Sequence, residues 1–478
     1  FWWMRANRLH EISLHLSGLL CAVLRKAQIT IILKHIPLSS ILMQTPKDME
    51  SKSEEKLPDV ENSDQKTRVS FLKNLLIRRV PQILGGYLAA SWILLEFMVW
   101  LVDRYPISPY LVDFGMVTLA SLIPTVVLIA YFHGKPGRDQ WTRTEKIGIP
   151  TNIVFSAVLL IFLFQGKDLG AITTSVTVID ENGEQIERSI PKSEFRKNIV
   201  LFPFENNTGQ EENDWLRHAI PVMTQFDIHQ DIFINAISTY ELVNKINDAG
   251  FQAEDPIPLT LKKKITGEHH MDFFTSGVIE DTEGEIAVTV SLYDQRTTKL
   301  ISENTFSGTE VLRLVDDITV QLKQDLKIPR QHIETTEDLP VSEIMTTSIP
   351  ALQYFFRGRN AIALEDDWLK GIELLEKSVQ EDNTFAFGYV YLYTYSLFSN
   401  QGQKVAQAFE PLMKHLYKLP ERTQFGVKHD YYSMIKQDRA MAFEVAKNWA
   451  ELYPDDLNAH YVLALLYMVR NQTEEAIA

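Results

Sequence analysis

Three times in the first third of the chain the apolar positions run on for about twenty residues. Residues 82–102 (QILGGYLAASWILLEFMVWLV), 114–132 (FGMVTLASLIPTVVLIAYF) and 147–165 (IGIPTNIVFSAVLLIFLFQ) hold one charged side chain between them, Glu96. At 1.5 Å per residue, each run matches a hydrocarbon core roughly 30 Å thick, so the pattern predicts three transmembrane helices. Trp100, Tyr105, Tyr110, Tyr131 and Trp141 fall near the ends of the runs, where amphipathic rings suit the headgroup layer. Pro124 removes a backbone donor in the second run and predicts a kink there.

Beyond residue 170 the period changes. TSVTVIDENGEQIERSI alternates apolar and polar residues around Asn182-Gly183, a strong short-range hairpin signal. Strands are expected over residues 198–204, 231–237, 273–281, 285–294 and 300–307. Helices are expected over 213–228, 239–249, 259–266 and 309–326, giving a mixed α/β domain. From Leu352 onward the apolar spacing is helical and glycine is sparse.

Charge then orients the chain. Lys73, Arg78 and Arg79 precede the first run, and Lys135, Arg138, Arg143 and Lys146 fill the second loop; the first loop has only Arg104, and Lys167 stands alone after the third run. The positive-inside rule places the N-terminus and the second loop in the cytoplasm, and an odd number of spans puts the rest outside, in the periplasm of a cell with an outer membrane. Overall, 47 basic against 62 acidic residues leave a net charge of -15, which argues against nucleic acid as a partner. The single cysteine, Cys21, permits neither an internal disulfide nor a thiolate metal cluster.

The start of the chain reads differently. Residues 12–24 are apolar but too short to span a bilayer, and they end close to Leu20-Cys21, where a lipoprotein signal requires a small residue before the cysteine. FWWMRANR lacks an initiator methionine, and Met43 and Met49 are plausible starts. This stretch is read as a doubtful leader, followed over residues 44–66 by a polar linker. The expected boundaries are leader and linker 1–81, three-span anchor 82–166, α/β domain 167–337 and helical array 338–478.

Two stretches resemble known families. NIVLFPFENNTGQEENDWL looks like the opening of the TolB-like N-terminal domain of bacterial signalling proteins, in which a hydrophobic strand leads into a Pro-Phe-x-Asn turn and a surface helix. TSGVIEDTEGEIAVTVSLYDQRTTKLISENTFSG resembles that domain's closing strands. The chain departs from the family at HAIPVMTQFDIHQD, which replaces an acidic, Gly-rich helix start. Downstream, Pro420 and Pro454 lie 34 residues apart, the length of a tetratricopeptide (TPR) unit, and Ala459, Leu463, Ala464, Tyr467 and Ala476 fit its apolar positions. Laid on Asn383, the register suits Ala386, Tyr389 and Leu392 but puts Tyr393 at a usually small position. The last unit stops at Ala478 within its second helix, which suggests that the natural protein continues. EIMTTSIPALQYFFRGRNAIA is similar to the join between these two modules in multidomain regulators. The expected fold is therefore a membrane protein with three transmembrane α-helices, a TolB-like α/β domain and an α-solenoid of tetratricopeptide repeats.

Chemistry-bearing motifs are few. His269-His270 with Glu268 and Asp272 reads as a polar turn, because adjacent histidines point apart on regular elements. Gly134-Lys135-Pro136-Gly137 lacks phosphate-loop spacing. His218 and His229 have no nucleophile motif beside them. No metal or cofactor is expected. Tyr389, Tyr393 and Tyr461 are the expected partner contacts on the array, and Glu96 is an intramembrane polar position. The resemblances imply a non-catalytic sensing or protein-interaction scaffold that binds protein or peptide partners through the repeats and the bilayer through the spans. The alternative is a regulatory subunit or remnant of a membrane kinase or nucleotide cyclase system.

Overall fold

The computed structural model describes residues 75–134, 141–179, 183–252, 255–282, 284–470 and 472. The leader with Cys21, the polar linker, Lys135 to Gly137, Asn182 and Ala476 lie outside the described residues.

Helix α1 (Val80–Arg104), α2 (Tyr110–Ser121) with α3 (Ile123–His133), and α4 (Arg143–Phe164) make three stretches long and apolar enough to cross a membrane. The second stretch breaks at Leu122, between α2 and α3, with Pro124 in the first turn of α3. A break in an apolar setting leaves backbone groups that side chains must satisfy. The Ser121 carbonyl accepts from Asn152 Nδ2 at 3.0 Å and Ser156 Oγ at 3.2 Å on α4. Asn152 Oδ1 in turn accepts from Thr125 N at 3.1 Å and Thr125 Oγ1 at 2.8 Å. The start of α4 carries a Thr142–Glu145 capping box, and buried Glu145 also meets His133 Nε2 at 2.5 Å.

Past α4, β1 (Thr173–Ile179) and β2 (Gln185–Pro191) form the antiparallel hairpin expected around Gly183. A mixed sheet follows. It contains β3 (Lys197–Leu201), β4 (Glu205–Asn206), β5 (Ile234–Ser238), β6 (Phe273–Thr282), β7 (Glu285–Asp294) and β8 (Leu300–Gly308), in the order β5-β3-β6-β7-β8 with β4 beside β6. β5 and β6 run parallel to β3, whereas β7 runs antiparallel to both of its neighbours, β6 and β8. In β3 the two faces alternate. Ile199 and Leu201 join one cluster with α5 (Leu216–Ile228) and α8 (Val311–Asp325); Val200 and Phe202 join another with α6 (Thr239–Asp248) and α7 (Leu259–Glu268). A strand covered on both faces needs apolar residues at every position, which is why NIVLF shows no alternation. A Cβ at Gly277 on β6 would sit 2.4 Å from the Phe204 ring, so that ring requires glycine there.

Short helices α9 (Arg330–Thr335) and α10 (Val341–Ile344) lead to the array: α11 (Ile349–Ala363), α12 (Trp368–Glu381), α13 (Ala386–Phe398), α14 (Gly402–Lys414), α15 (Glu421–Asp430), α16 (Arg439–Leu452) and α17 (Leu457–Val469). They pair as helical hairpins. Gly358 and Gly371 bring α11 and α12 together so closely that a Cβ on either would approach the other's carbonyl to within 3 Å. The stretch resembling an inter-module join thus forms α11, the first helix of a hairpin, with Phe355 and Phe356 fully buried. One hydrophobic core runs from the sheet through Val341 and Ile344 into α11–α15, so packing is continuous across residue 338.

Helix α5 departs from the surface helix that the family resemblance implies. All of its residues except Arg217 are buried, because the sheet lies on one side and the array on the other. The apolar run HAIPVMTQF is what a helix covered on both sides requires.

Candidate functional site

Helices α5 and α6 of the sheet domain lie against the inner face of the array, and the two halves of that junction differ. Toward the start of the array the junction is closed by rings. Phe226 stacks on Phe387 with centroids 4.0 Å apart, Trp215 lies 6.1 Å from Phe356, and Tyr240 Oη donates to Asn360 Oδ1 at 2.7 Å. Between the rings of Tyr240 and Tyr391, at 3.9 and 4.0 Å, lies the buried guanidinium of Arg359. Its Nε and Nη1 have no hydrogen-bond partner among the described residues, so the cation is held by ring quadrupoles.

Toward the end of the array the surfaces separate around a cleft of about 560 Å³. Its sheet-domain wall includes Gln225, His229, Asn235 and Glu241; its array wall includes Phe387, Tyr391, Tyr393, Asp430 and Trp449. Volumes of this order hold small ligands or a few side chains.

Hydrogen bonds fix most of the polar groups in the wall. Arg422 spans the two sides: Nε reaches Asp456 Oδ2 at 2.5 Å, and Nη1 donates to Asn235 Oδ1 on β5 at 2.8 Å. Trp449 Nε1 donates to the same Asp456 oxygen at 3.1 Å. Burial alone would raise the Asp456 carboxyl, but the Arg422 charge and hydrogen bond, with the backbone N–H groups of Asn458 and Ala459, hold it below the usual carboxylate range. Asp455 is paired with buried Arg196 at 3.2 Å. His229 Nε2 meets the Ala236 carbonyl at 2.9 Å; burial first and the Arg422 charge second push its imidazole down to about 4, leaving a neutral ring. Asp430 accepts from Tyr393 Oη at 3.1 Å and contacts His429 Nδ1 at 3.0 Å. Glu241 accepts from Gln225 Nε2 at 3.0 Å and from Ser238 N at 3.2 Å. Among the described residues no group of three or more His, Cys, Asp or Glu is placed to hold a metal ion.

The tyrosines expected as partner contacts fall in three different places. Tyr389 and Tyr393, one helical turn apart on α13, turn inward together. Tyr389 packs in the core and does not line the cleft, whereas Tyr393 is buried but reaches the cleft wall through Asp430. Tyr461 is 65% exposed on α17, in line with exposed Leu457, Leu465 and Met468. Glu96 is half-buried on α1 and lies apart from the cleft. Arg359, Glu241, Arg422 and Asp430 were not legible as a group, because their partners come from helices far apart in sequence.

Neither a protein-family model nor a characterised protein matches this sequence. Among solved structures, the C-terminal domain of LpoB from Escherichia coli is similar over 23% of this chain and 82% of its own, at 9% identity and a TM-score of 0.19. TolB from Acinetobacter baumannii is similar over 32% of this chain and 30% of its own, at 13% identity and a TM-score of 0.20. MamA is similar over 27% of this chain and 72% of its own, at 20% identity and a TM-score of 0.22. These are partial likenesses, and the architecture described above rests on its own geometry.

Proposed function

We propose that this protein is a membrane-anchored, non-catalytic interaction scaffold. Three apolar helices hold the sheet domain and the array on the periplasmic side of an inner membrane, and a polypeptide partner is received in the cleft between them. The observation that carries this reading is the cleft itself: the array's inner face is sealed by the sheet domain along one half and left open along the other. Two further features support it. The cleft's fixed groups are spent on one another, as in a binding surface, and the basic residues cluster at the ends of the apolar runs expected to face the cytoplasm.

The test is photo-crosslinking from the full chain in membranes, with a photoreactive residue at Thr423 in the cleft wall or at Lys377 on the outer side of α12. A discrete adduct from position 423 and none from position 377 is expected; equal adducts from both would sink the scaffold reading. An alkaline-phosphatase fusion after Gly170 should be active, and a fusion active only as a cytoplasmic reporter would overturn the orientation.

A further inference from the structure

The wall of the cleft has an unbalanced charge. Four of its carboxylates, Glu241, Asp430, Asp455 and Asp456, face one guanidinium, Arg422. Arg422 is committed to Asp456, and Asp455 is committed to Arg196 behind the wall. Glu241 and Asp430 remain: neither forms a direct ion pair with a lysine or arginine among the described residues, and Glu241 feels only the charge of Arg359, which lies caged in the closed half. Their partners are the Gln225 amide and the Ser238 backbone N–H on Glu241, and the Tyr393 hydroxyl and the His429 imidazole on Asp430. Each ionised carboxylate has about four lone-pair sites. Three imidazoles line the cleft: His429 touches Asp430 through Nδ1, His269 lies on the sheet-domain side, and His229 is held neutral by burial and the Arg422 charge.

Phe226, Phe387, Val390, Tyr391 and Trp449 supply apolar and aromatic wall around these two carboxylates. Aromatic faces attract cations, and the stems of lysine and arginine are themselves apolar. The closed half of the junction already shows this chemistry in use: Arg359 is buried against Tyr240 and Tyr391, and Glu241 contributes to holding it charged. Tyr391 belongs to both places. An anionic guest would meet the four carboxylates at once.

We infer that the cleft receives a basic side chain, a lysine or arginine of the partner polypeptide, with its charge near Glu241 and Asp430 and its stem along Phe387, Val390 and Tyr391. The inference rests on the scaffold reading and sharpens it. The site is composite, since Glu241 comes from the sheet domain and Asp430 from the array, so an occupied cleft ties the two together.

The experiment titrates the full chain in nanodiscs with tetralysine and with the same peptide acetylated on all four side chains, following heat or Trp fluorescence. Tetralysine should bind with one-to-one stoichiometry and lose at least tenfold in affinity in the double variant Glu241→Gln, Asp430→Asn. It should bind unchanged to the double variant Glu410→Gln, Glu444→Gln, which removes two exposed carboxylates outside the cleft. Because Asp430 also holds Tyr393, the single variant Glu241→Gln is measured as well, with its unfolding midpoint: glutamine can still cap α6 through Ser238 N, so the midpoint should hold while a severalfold loss of affinity is expected. The inference is overturned if acetylated tetralysine binds equally well, if both double variants weaken binding alike, or if neither peptide binds. In each of these cases the adduct from position 423 decides the scaffold reading separately.

Discussion

At its beginning the array meets the sheet domain through stacked rings and a caged guanidinium; at its end it meets the same domain through carboxylates, amides and Arg422 around open space. The first contact excludes water and has little reason to open, because stacked aromatic burial carries most of the energy available in such an interface. The second is held by hydrogen bonds that water can replace at modest cost. A junction fastened at one end and hydrated at the other can admit a guest without coming apart.

The largest test of this contrast is Phe226→Ala, which removes the ring stacked on Phe387. A loss of about 3–5 kcal/mol is expected, as for other buried Phe→Ala changes, read from guanidinium unfolding of the nanodisc-embedded chain by near-UV circular dichroism. A loss below about 1 kcal/mol would mean that the closed half is not the fastening.

Next comes pH, acting through two buried groups on α5. Burial first and the Arg217 charge second push His218 down to about 4, while burial pushes Asp227 up to about 7. Below about 6.5 the unfolded chain takes up a proton that folded His218 refuses, so this histidine removes stability as pH falls toward 4. Asp227 has the opposite sign. Folded Asp227 keeps a proton that the unfolded carboxyl releases above about 3.9, so its contribution is gained as pH falls from 7 toward 4. The two nearly cancel in the native chain. Relative to it, His218→Asn should gain and Asp227→Asn should lose about 3 kcal/mol between pH 6.5 and 4, as read from unfolding midpoints. Parallel pH curves for all three proteins would refute this account.

In the open half, Asp456→Ala strands Arg422 beside water, not in a dry core, so about 1.5–3 kcal/mol is expected in the same unfolding assay. A cost equal to that of Phe226→Ala would erase the contrast between the halves. The smallest effect is predicted for Arg359→Met. A buried cation with two unpaired nitrogens loses cation–π attraction but also sheds a desolvation cost, so the change should stay within about 1 kcal/mol. A loss above 3 kcal/mol would show that the guanidinium itself is the clamp.

The sequence pattern located the elements well because their signals are local. The apolar runs gave three membrane-length helices, Pro124 gave a break between α2 and α3, and Gly183 marked a hairpin. The junction was hidden because its partners are far apart: Tyr240 meets Asn360 across 120 residues, and Arg422 meets Asn235 across 187. One signal was available. Two tyrosine pairs at i and i+4 on α13 point to different sides, Tyr389 and Tyr393 inward and Tyr391 with Tyr395 toward Phe355 and Arg359, so the helix had to be covered on both. The unusually apolar α5 carried the same information from the other partner.

The hairpin that follows α4 also bears on how the chain is made. Arg188 on β2 grips Glu421 with two hydrogen bonds of 3.0 Å across 233 residues, and Val178 and Ile190 pack with Trp449 and Tyr453. During synthesis the hairpin emerges directly behind the apolar helices, long before its partner exists. At roughly 5–20 residues per second it must wait about 10–50 s with those apolar positions uncovered. The growing chain therefore carries a sticky, membrane-proximal ribbon for much of its translation, and slowing the ribosome between codons 190 and 450 should raise the yield of misassembled protein more than slowing it earlier.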